Sequence, residues 1–324
     1  MLIFERNNLN SLYIDLVDSL VREGKQIVKE GRKIKELYPC VIKITDPKEG
    51  ILVVEGRPYS PAFAIAETVW NLAGDSDAWL CKYNPIYEKY FTDGKLKAGY
   101  GNRILNWNEN INQFELVAQR LENEPQTLHA SITIFNPAYD LKNPKFVPCI
   151  TRLKFTIREN KLFMTSFMRA QDIWLGFPYD INLLLTIFQL MSNRLNIEMG
   201  EYYHYCDFLR LYEADYEQAS KIEKSYTECD RHIDLEGSCD FQKFHFYKSI
   251  LKELPSNSLE LISKEPEYWK NGIKCCIAYN YLHKGMFRES REIIETVSNC
   301  FKPQFESWAE FYHKNYSNSI PKGV

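Results

Sequence analysis

Apolar side chains recur along this chain at two different spacings, and the change between them divides it. Residues 12–36 carry Leu16, Leu20 and Ile27 among charged neighbours, a spacing that predicts one long charged helix. Residues 40–45 and 50–54 read as short strands flanking the turn Asp46-Pro47-Lys48. Residues 61–72 are apolar almost throughout and predict a buried helix ended by Gly74. Residues 111–121 place Phe114, Val117 and Leu121 on one helical stripe. The period then falls to two. Residues 131–135 form one strand, and in 151–157 Leu153, Phe155 and Ile157 alternate with Arg152, Lys154 and Thr156. Residues 161–168 return after a turn at Glu159-Asn160. Residues 182–195 predict an apolar helix and 202–212 an aromatic strand. From about 216 onward the segments 240–253, 258–263, 268–282 and 288–296 are helix-like and rich in Lys, Glu and aromatics. The expected organisation is a domain over 1–215 and a helical C-terminal extension over 216–324.

Composition narrows the function classes. The chain has 324 residues, 45% of them apolar and 14% aromatic, ample for a large core. Forty basic against 43 acidic residues, net charge −3, supply no global attraction to nucleic acid or an anionic membrane. No apolar stretch is long enough to span a bilayer, and the first residues lack the order of a signal peptide. Nine cysteines without a repeated CxxC or Cys/His spacing read as mostly reduced thiols, neither a disulfide frame nor a metal site. Cys275-Cys276 and Cys40 read as packing. The expected location is cytoplasmic.

Chemistry concentrates around Pro148-Cys149. Phe135-Asn136 precedes this pair and the strand over 151–157 follows it. Then comes Met168-Arg169-Ala170-Gln171-Asp172, leading through Gly176-Phe177-Pro178-Tyr179-Asp180 into an apolar helix. Upstream lie Ala66-Glu67-Thr68-Val69-Trp70 with Gly74-Asp75, and Gly99-Tyr100-Gly101; downstream lies Gly200-Glu201-Tyr202 with Leu211-Tyr212. Together, and in this order, these blocks over about residues 61–212 resemble the thymidylate synthase family, which includes the pyrimidine nucleotide hydroxymethylases.

The resemblance implies an α+β fold with a large twisted, mostly antiparallel sheet, packed helices, and a homodimer formed by sheets back to back. Thr151, Leu153 and Phe155 are candidates for that interface. It also implies one-carbon transfer from 5,10-methylenetetrahydrofolate to C5 of a pyrimidine nucleotide. C5 is a poor nucleophile until a thiolate adds to C6, and Cys149 is the nucleophile by resemblance. Glu67 and Tyr100 would serve proton transfer, and Arg169 would lower the thiol pKa and hold phosphate. Asp172 and Gly176 would seat the folate, and Tyr212 would contact the sugar.

Departures from the family pattern carry the finer expectations. Asp180 stands where uracil-using members have asparagine. An ionised carboxylate only accepts hydrogen bonds, which suits the N4 amino group of cytosine and repels uracil O4. This favours (deoxy)cytidylate hydroxymethylation, with dUMP methylation as the alternative within the family and a non-catalytic nucleotide-binding member as the alternative outside it. Asp180 as a cap for a helix beginning near Ile181 is the competing structural reading. Leu128 and His129 replace two consecutive arginines that in the family reach a partner's phosphate, and Ala170 replaces a phosphate-binding serine. Arg32 and Arg57 are candidate replacements. Arg210 stands where the family has a histidine at the sugar, and Ile150 replaces the histidine after the cysteine. The tail 319–324 resembles the family's folate-covering end only faintly.

Overall fold

The computed structural model describes residues 2–142, 146–222, 241–298 and 300–316. Among the described residues ten strands form two mixed sheets. β1 (Leu2–Arg6), β4 (Cys40–Ile44), β5 (Ser131–Thr133), β6 (Ile150–Arg158), β7 (Lys161–Met168) and β9 (Glu198–Cys206) build a six-stranded sheet in the order β1-β4-β9-β7-β6-β5. β2 (Lys25–Lys29), β3 (Arg32–Leu37), β8 (Gln171–Asp172) and β10 (Leu209–Tyr212) build a four-stranded one in the order β2-β3-β10-β8. Within the first sheet β1 pairs parallel with β4 and β7 with β9; the remaining pairs are antiparallel.

The helices are α1 (Leu9–Glu23), α2 (Pro61–Leu72), α3 (Tyr100–Leu105), α4 (Gln113–Asn123), α5 (Pro137–Asp140), α6 (Phe177–Leu195) and α7 (Tyr216–Ser220). Beyond them come α8 (Phe241–Glu253), α9 (Ser258–Leu261), α10 (Glu267–His283), α11 (Phe287–Ile294) and α12 (Phe301–Tyr316). One continuous apolar core runs from α1 through α2, α6 and the sheet to Trp269 and Cys276 of α10. Cys40, Cys275 and Cys276 are all buried in it. No helix among the described residues is long and apolar enough to cross a membrane.

The helix α2 starts where Ser60 caps it, the Ser60 Oγ accepting the Phe63 amide at 3.2 Å, and Pro61 takes its first turn. It is buried on every side, because α6 and α10 both pack against it. Gly272 of α10 permits this approach: a Cβ there would meet Ile65 at 2.5 Å. The hairpin β6–β7 turns at Glu159 and Asn160, both with positive φ, so the chain reverses tightly. Its register pairs Ile150 with Met168 and thereby brings Cys149 and Arg169 to the same end of the sheet.

Five expectations require correction. Residues 12–36 are not one helix: α1 stops at Glu23, and the hairpin β2–β3 follows, turned by Glu30 and Gly31 at positive φ. Residues 50–54 form no strand; they are buried irregular chain, with the Val53 amide donating to the Asn10 side chain at 2.9 Å. The aromatic strand over 202–212 breaks at Asp207-Phe208, so that β9 and β10 join different sheets. Leu153 and Phe155 are fully buried inside the protomer; the outward positions of the large sheet include Thr151, Phe163, Phe167, Tyr203 and Tyr205, which retain partial exposure. Finally, α6 begins at Phe177, with Gly176 as its N-cap, so Asp180 lies inside the first turn and is not a cap.

Candidate active site

Cys149 ends an irregular approach to β6 and is half-buried. Arg169, the first residue after β7, secures it through the main chain. The Arg169 amide donates to the Cys149 carbonyl at 3.0 Å. Its Nε donates to the Pro148 carbonyl at 3.0 Å and its Nη2 to the Val147 carbonyl at 2.7 Å. The rest of the Arg169 side chain is exposed.

Burial pushes the Cys149 thiol up to about 11. Arg169 and Arg210 act to lower it, while the carboxylates of Asp180 and Asp172 act to raise it. Burial outweighs the two arginines. The resting residue at neutral pH is a thiol.

Glu67 and Tyr100 stand on adjacent helices. Gly101 makes this possible: a Cβ there would lie 1.6 Å from the Asn71 carbonyl oxygen of α2, and the Gly101 amide donates to Asn71 Oδ1 at 2.9 Å. The Tyr-Gly motif thus meets a helix-crossing requirement. Glu67 is 8% exposed. Burial raises its carboxyl to about 8, Asp180 adds to the rise, and a hydrogen bond donated by the Tyr87 hydroxyl opposes it. Tyr100 is held well above the usual phenol range by burial and by the negative charges of Asp180, Cys149 and Glu67, and the Cys149 main chain hydrogen-bonds to it. Cys149, Tyr100, Glu67 and Asp180 therefore form one electrostatic cluster.

Asp180 faces this cluster from the first turn of α6. Burial raises it to about 6 against a hydrogen bond from Gln171, whose Nε2 donates to Asp180 Oδ2 at 2.9 Å. Gly176 makes room for that contact, since a Cβ there would fall 2.9 Å from Gln171 Nε2 and 3.4 Å from Asp180 Oδ2. Asp172 turns the chain before α6: its Oδ1 accepts the amides of Trp174 at 2.8 Å and Leu175 at 2.9 Å. Burial raises Asp172, and those two amides and Arg57 oppose the rise.

The second sheet brings Arg210 and Tyr212 into the field of Cys149 and Asp172. Parallel pairing of β8 with β10 sets Asp172 beside Arg210. Arg210 sits opposite Glu36 in register, and its Nε donates to the Glu36 carboxylate at 3.2 Å. Arg210 also hydrogen-bonds the Tyr212 side chain, whose phenol burial raises. Arg57 is not a surface cation. It is 3% exposed, its Nε donates to Tyr13 at 3.1 Å, and its guanidinium lies 4.6 Å over the Trp174 ring. Arg32 is exposed at the tip of the β2–β3 hairpin and shares no contact with Arg169 among the described residues. Leu128 is 71% exposed and His129 is exposed as well. The tail 319–324 lies outside the described residues.

The family profile described as thymidylate synthase matches residues 11–253, most of the chain. The chain belongs to the thymidylate synthase family. Its relatives include the deoxyuridylate hydroxymethyltransferase of Bacillus phage SP01, 31% identical over 230 residues, which are 67% of this chain. The match spans 60% of that relative's length. A putative thymidylate synthase of Methanocaldococcus jannaschii is 24% identical over 241 residues, 72% of this chain and 100% of the relative. One from Methanosarcina acetivorans is 28% identical over 227 residues, 68% and 94% respectively.

Two residues beside this thymidylate synthase-family cluster escaped sequence reasoning. Tyr87 sits on a 3-10 turn begun by Asn84 and Pro85, packed edge-on against Phe63 and Tyr90. Gln171 lies between Arg169 and Asp172 in a motif read for its flanks. Neither carries a periodic or spacing signal; only the fold brings each to a carboxyl group.

Proposed function

We propose that this chain catalyses one-carbon transfer from 5,10-methylenetetrahydrofolate to C5 of a pyrimidine nucleotide, with Cys149 adding to C6, and that hydroxymethylation of a cytosine nucleotide is the reaction. The observation that carries this reading is the convergence of a half-buried thiol, two carboxyls with raised pKa and a phenol in one place. When bound, the folate supplies the one-carbon unit. Asp172 and the Gly176 turn are the groups to seat it: a buried carboxylate with one oxygen fixed by two amides presents a fixed acceptor to a fused-ring N–H edge.

As the sulfur–C6 bond forms, the thiol proton leaves and charge accumulates on the base at C5 and its 4-substituent. Glu67, neutral at pH 7 with a value near 8, can offer a proton there and later help take the C5 proton. Tyr100 and Tyr87 hold that relay. In the net hydroxymethylation C5 loses H⁺ and gains CH₂, hydroxide from water completes the CH₂OH group, the protons released by C5 and water end on the two folate nitrogens that give up the carbon, and the sulfur–C6 bond breaks to return the Cys149 thiol, with no change of electron count at the enzyme. Methylation would instead need a hydride. Arg169 is the phosphate candidate, Tyr212 and Arg210 face the sugar, and Arg32 is too peripheral for either role. For the assembly we favour a homodimer through the outward sheet face bearing Phe163, Phe167, Tyr203 and Tyr205.

A second reading takes a uracil nucleotide. The name of the phage relative favours it; Asp180, with a value of about 6, is mostly ionised at neutral pH and opposes it. Incubation with methylenetetrahydrofolate and dCMP, CMP or dUMP, with products weighed by mass spectrometry, decides between them. Gain of CH₂O on dCMP supports the first reading. Rapid conversion of dUMP to dTMP with dCMP inert contradicts it, and no conversion or C5 proton exchange with any nucleotide leaves a binding protein.

A further inference from the structure

The Gln171 side chain is 1% exposed, yet only half of its amide is satisfied. Both contacts of Nε2 are accounted for: Asp180 Oδ2 at 2.9 Å and the Asp172 carbonyl at 3.3 Å. Oε1 is buried without a partner among the described residues. A leucine or methionine would fill this place without leaving a carbonyl dry, so packing does not account for the amide. What the amide supplies is one donor aimed at one oxygen of Asp180, and Gly176, lacking a Cβ, keeps the path open.

We propose that Gln171 sets the base preference of the site: its amide engages Asp180 Oδ2 and leaves Oδ1 to meet the pyrimidine edge. This inference rests on Asp180 reading the base. Two consequences follow from a donor fixed on Oδ2. A proton taken up by this carboxyl goes to Oδ1, the base-facing oxygen, because Oδ2 already accepts. The donor also favours the ionised carboxylate, since a charge-assisted hydrogen bond is stronger than a neutral one. Gln171 thus biases Oδ1 toward acceptor character, which fits an amino group at C4 and opposes a carbonyl there. The other ionisable groups sharing the field of Asp180 are Asp172 on β8, Glu67 on α2, Tyr100 on α3, Cys149 before β6, Tyr87 on its 3-10 turn and Tyr202 on β9. All are acids, and none replaces the amide as a donor to Oδ2 in the structure.

The test compares wild type with Gln171→Met, measuring dissociation constants for dCMP and dUMP and, where turnover occurs, kcat/KM for each between pH 5 and 8. The expected result is a fall of about tenfold or more in the cytosine-to-uracil preference, the scale of one lost hydrogen bond to a charged group. The acid limb of cytosine binding should also move upward from about pH 6. Urea melts should show Gln171→Met as stable as wild type at pH 5, where Asp180 holds its proton, and less stable than wild type at pH 8, where the ionised carboxylate has lost its donor, a pH-dependent difference a purely structural glutamine would not give. Gly176→Ala, which crowds the amide from the other side, should shift the preference in the same direction. An unchanged preference and acid limb in folded Gln171→Met overturns the inference. Asp180→Asn separates the two levels: if it alters base preference while Gln171→Met does not, only the role of Gln171 fails; if neither alters it, base reading by Asp180 fails too.

Discussion

Replacing Glu67 by glutamine should make the protein more stable at alkaline pH while removing its chemistry. Burial raises this carboxyl from 4.5 to about 8, so the folded state holds a proton that the unfolded chain releases. Stability from this group is fully present below pH 4.5 and declines as pH rises to 8, because folding then requires either proton uptake or a buried charge. At 1.36 kcal/mol per pKa unit the whole loss is about 5 kcal/mol, and the part between pH 5.5 and 8 about 3 kcal/mol. Glutamine keeps an acceptor for the Tyr87 hydroxyl and cannot ionise. Urea melts of both proteins at half-unit pH steps should therefore diverge, with Glu67→Gln gaining about 3 kcal/mol relative to wild type across that window. The variant retains the shallower declines belonging to Asp180 and Asp215, which end near their own values of about 6. Parallel curves from pH 5.5 to 8 would refute the claim that Glu67 is buried with a raised pKa, and with it the assignment of a neutral acid at neutral pH.

Further outcomes follow from the same geometry. Tyr87→Phe removes the donor that restrains Glu67, so the alkaline limb of the kcat profile should move to higher pH while KM for the nucleotide stays near wild type; an unmoved limb would separate Tyr87 from the relay. Arg103→Met breaks the buried double hydrogen bond to Asp140, 2.7 Å on both arms, and should lower unfolding free energy by about 3–5 kcal/mol in urea melts. Gly101→Ala forces α3 away from α2, and should cost about 1–3 kcal/mol or more in urea melts and reduce kcat beyond the stability loss, because Tyr100 moves with it.

Sequence patterning revealed the elements that are either buried all round or strictly alternating. The strand Lys161–Met168 and the helix Pro61–Leu72 match their expected bounds, because an alternating run and a capped apolar run each admit one arrangement. The hairpin β2–β3 was hidden because β2 is solvent-facing and both strands are lysine-rich, which resembles a charged helix surface until Gly24 and the Glu30-Gly31 turn are seen to break it. Residues 50–54 deceived in the opposite way: apolar residues can be buried by neighbours without any strand partner, here with Asn10 satisfying the Val53 amide. At the site, Cys149, Glu67, Tyr100 and Asp180 come from separate motif blocks that the fold brings together. The motifs could not show that Arg57 turns inward to Tyr13 and Trp174, or that Tyr87 and Gln171 hold the two carboxyls. Those contacts join residues from nine to 117 positions apart through packing that no local spacing encodes.

The most direct measurement is intact-protein and peptide mass spectrometry after incubation with a 5-fluoropyrimidine nucleotide and methylenetetrahydrofolate. Fluorine at C5 cannot leave as a proton, so the account predicts a stable species carrying nucleotide and one-carbon donor, located on Cys149 and absent from Cys149→Ala. A protein that turns over or binds the unfluorinated nucleotide yet forms no adduct, or forms it on another side chain, contradicts nucleophilic attack by this thiol.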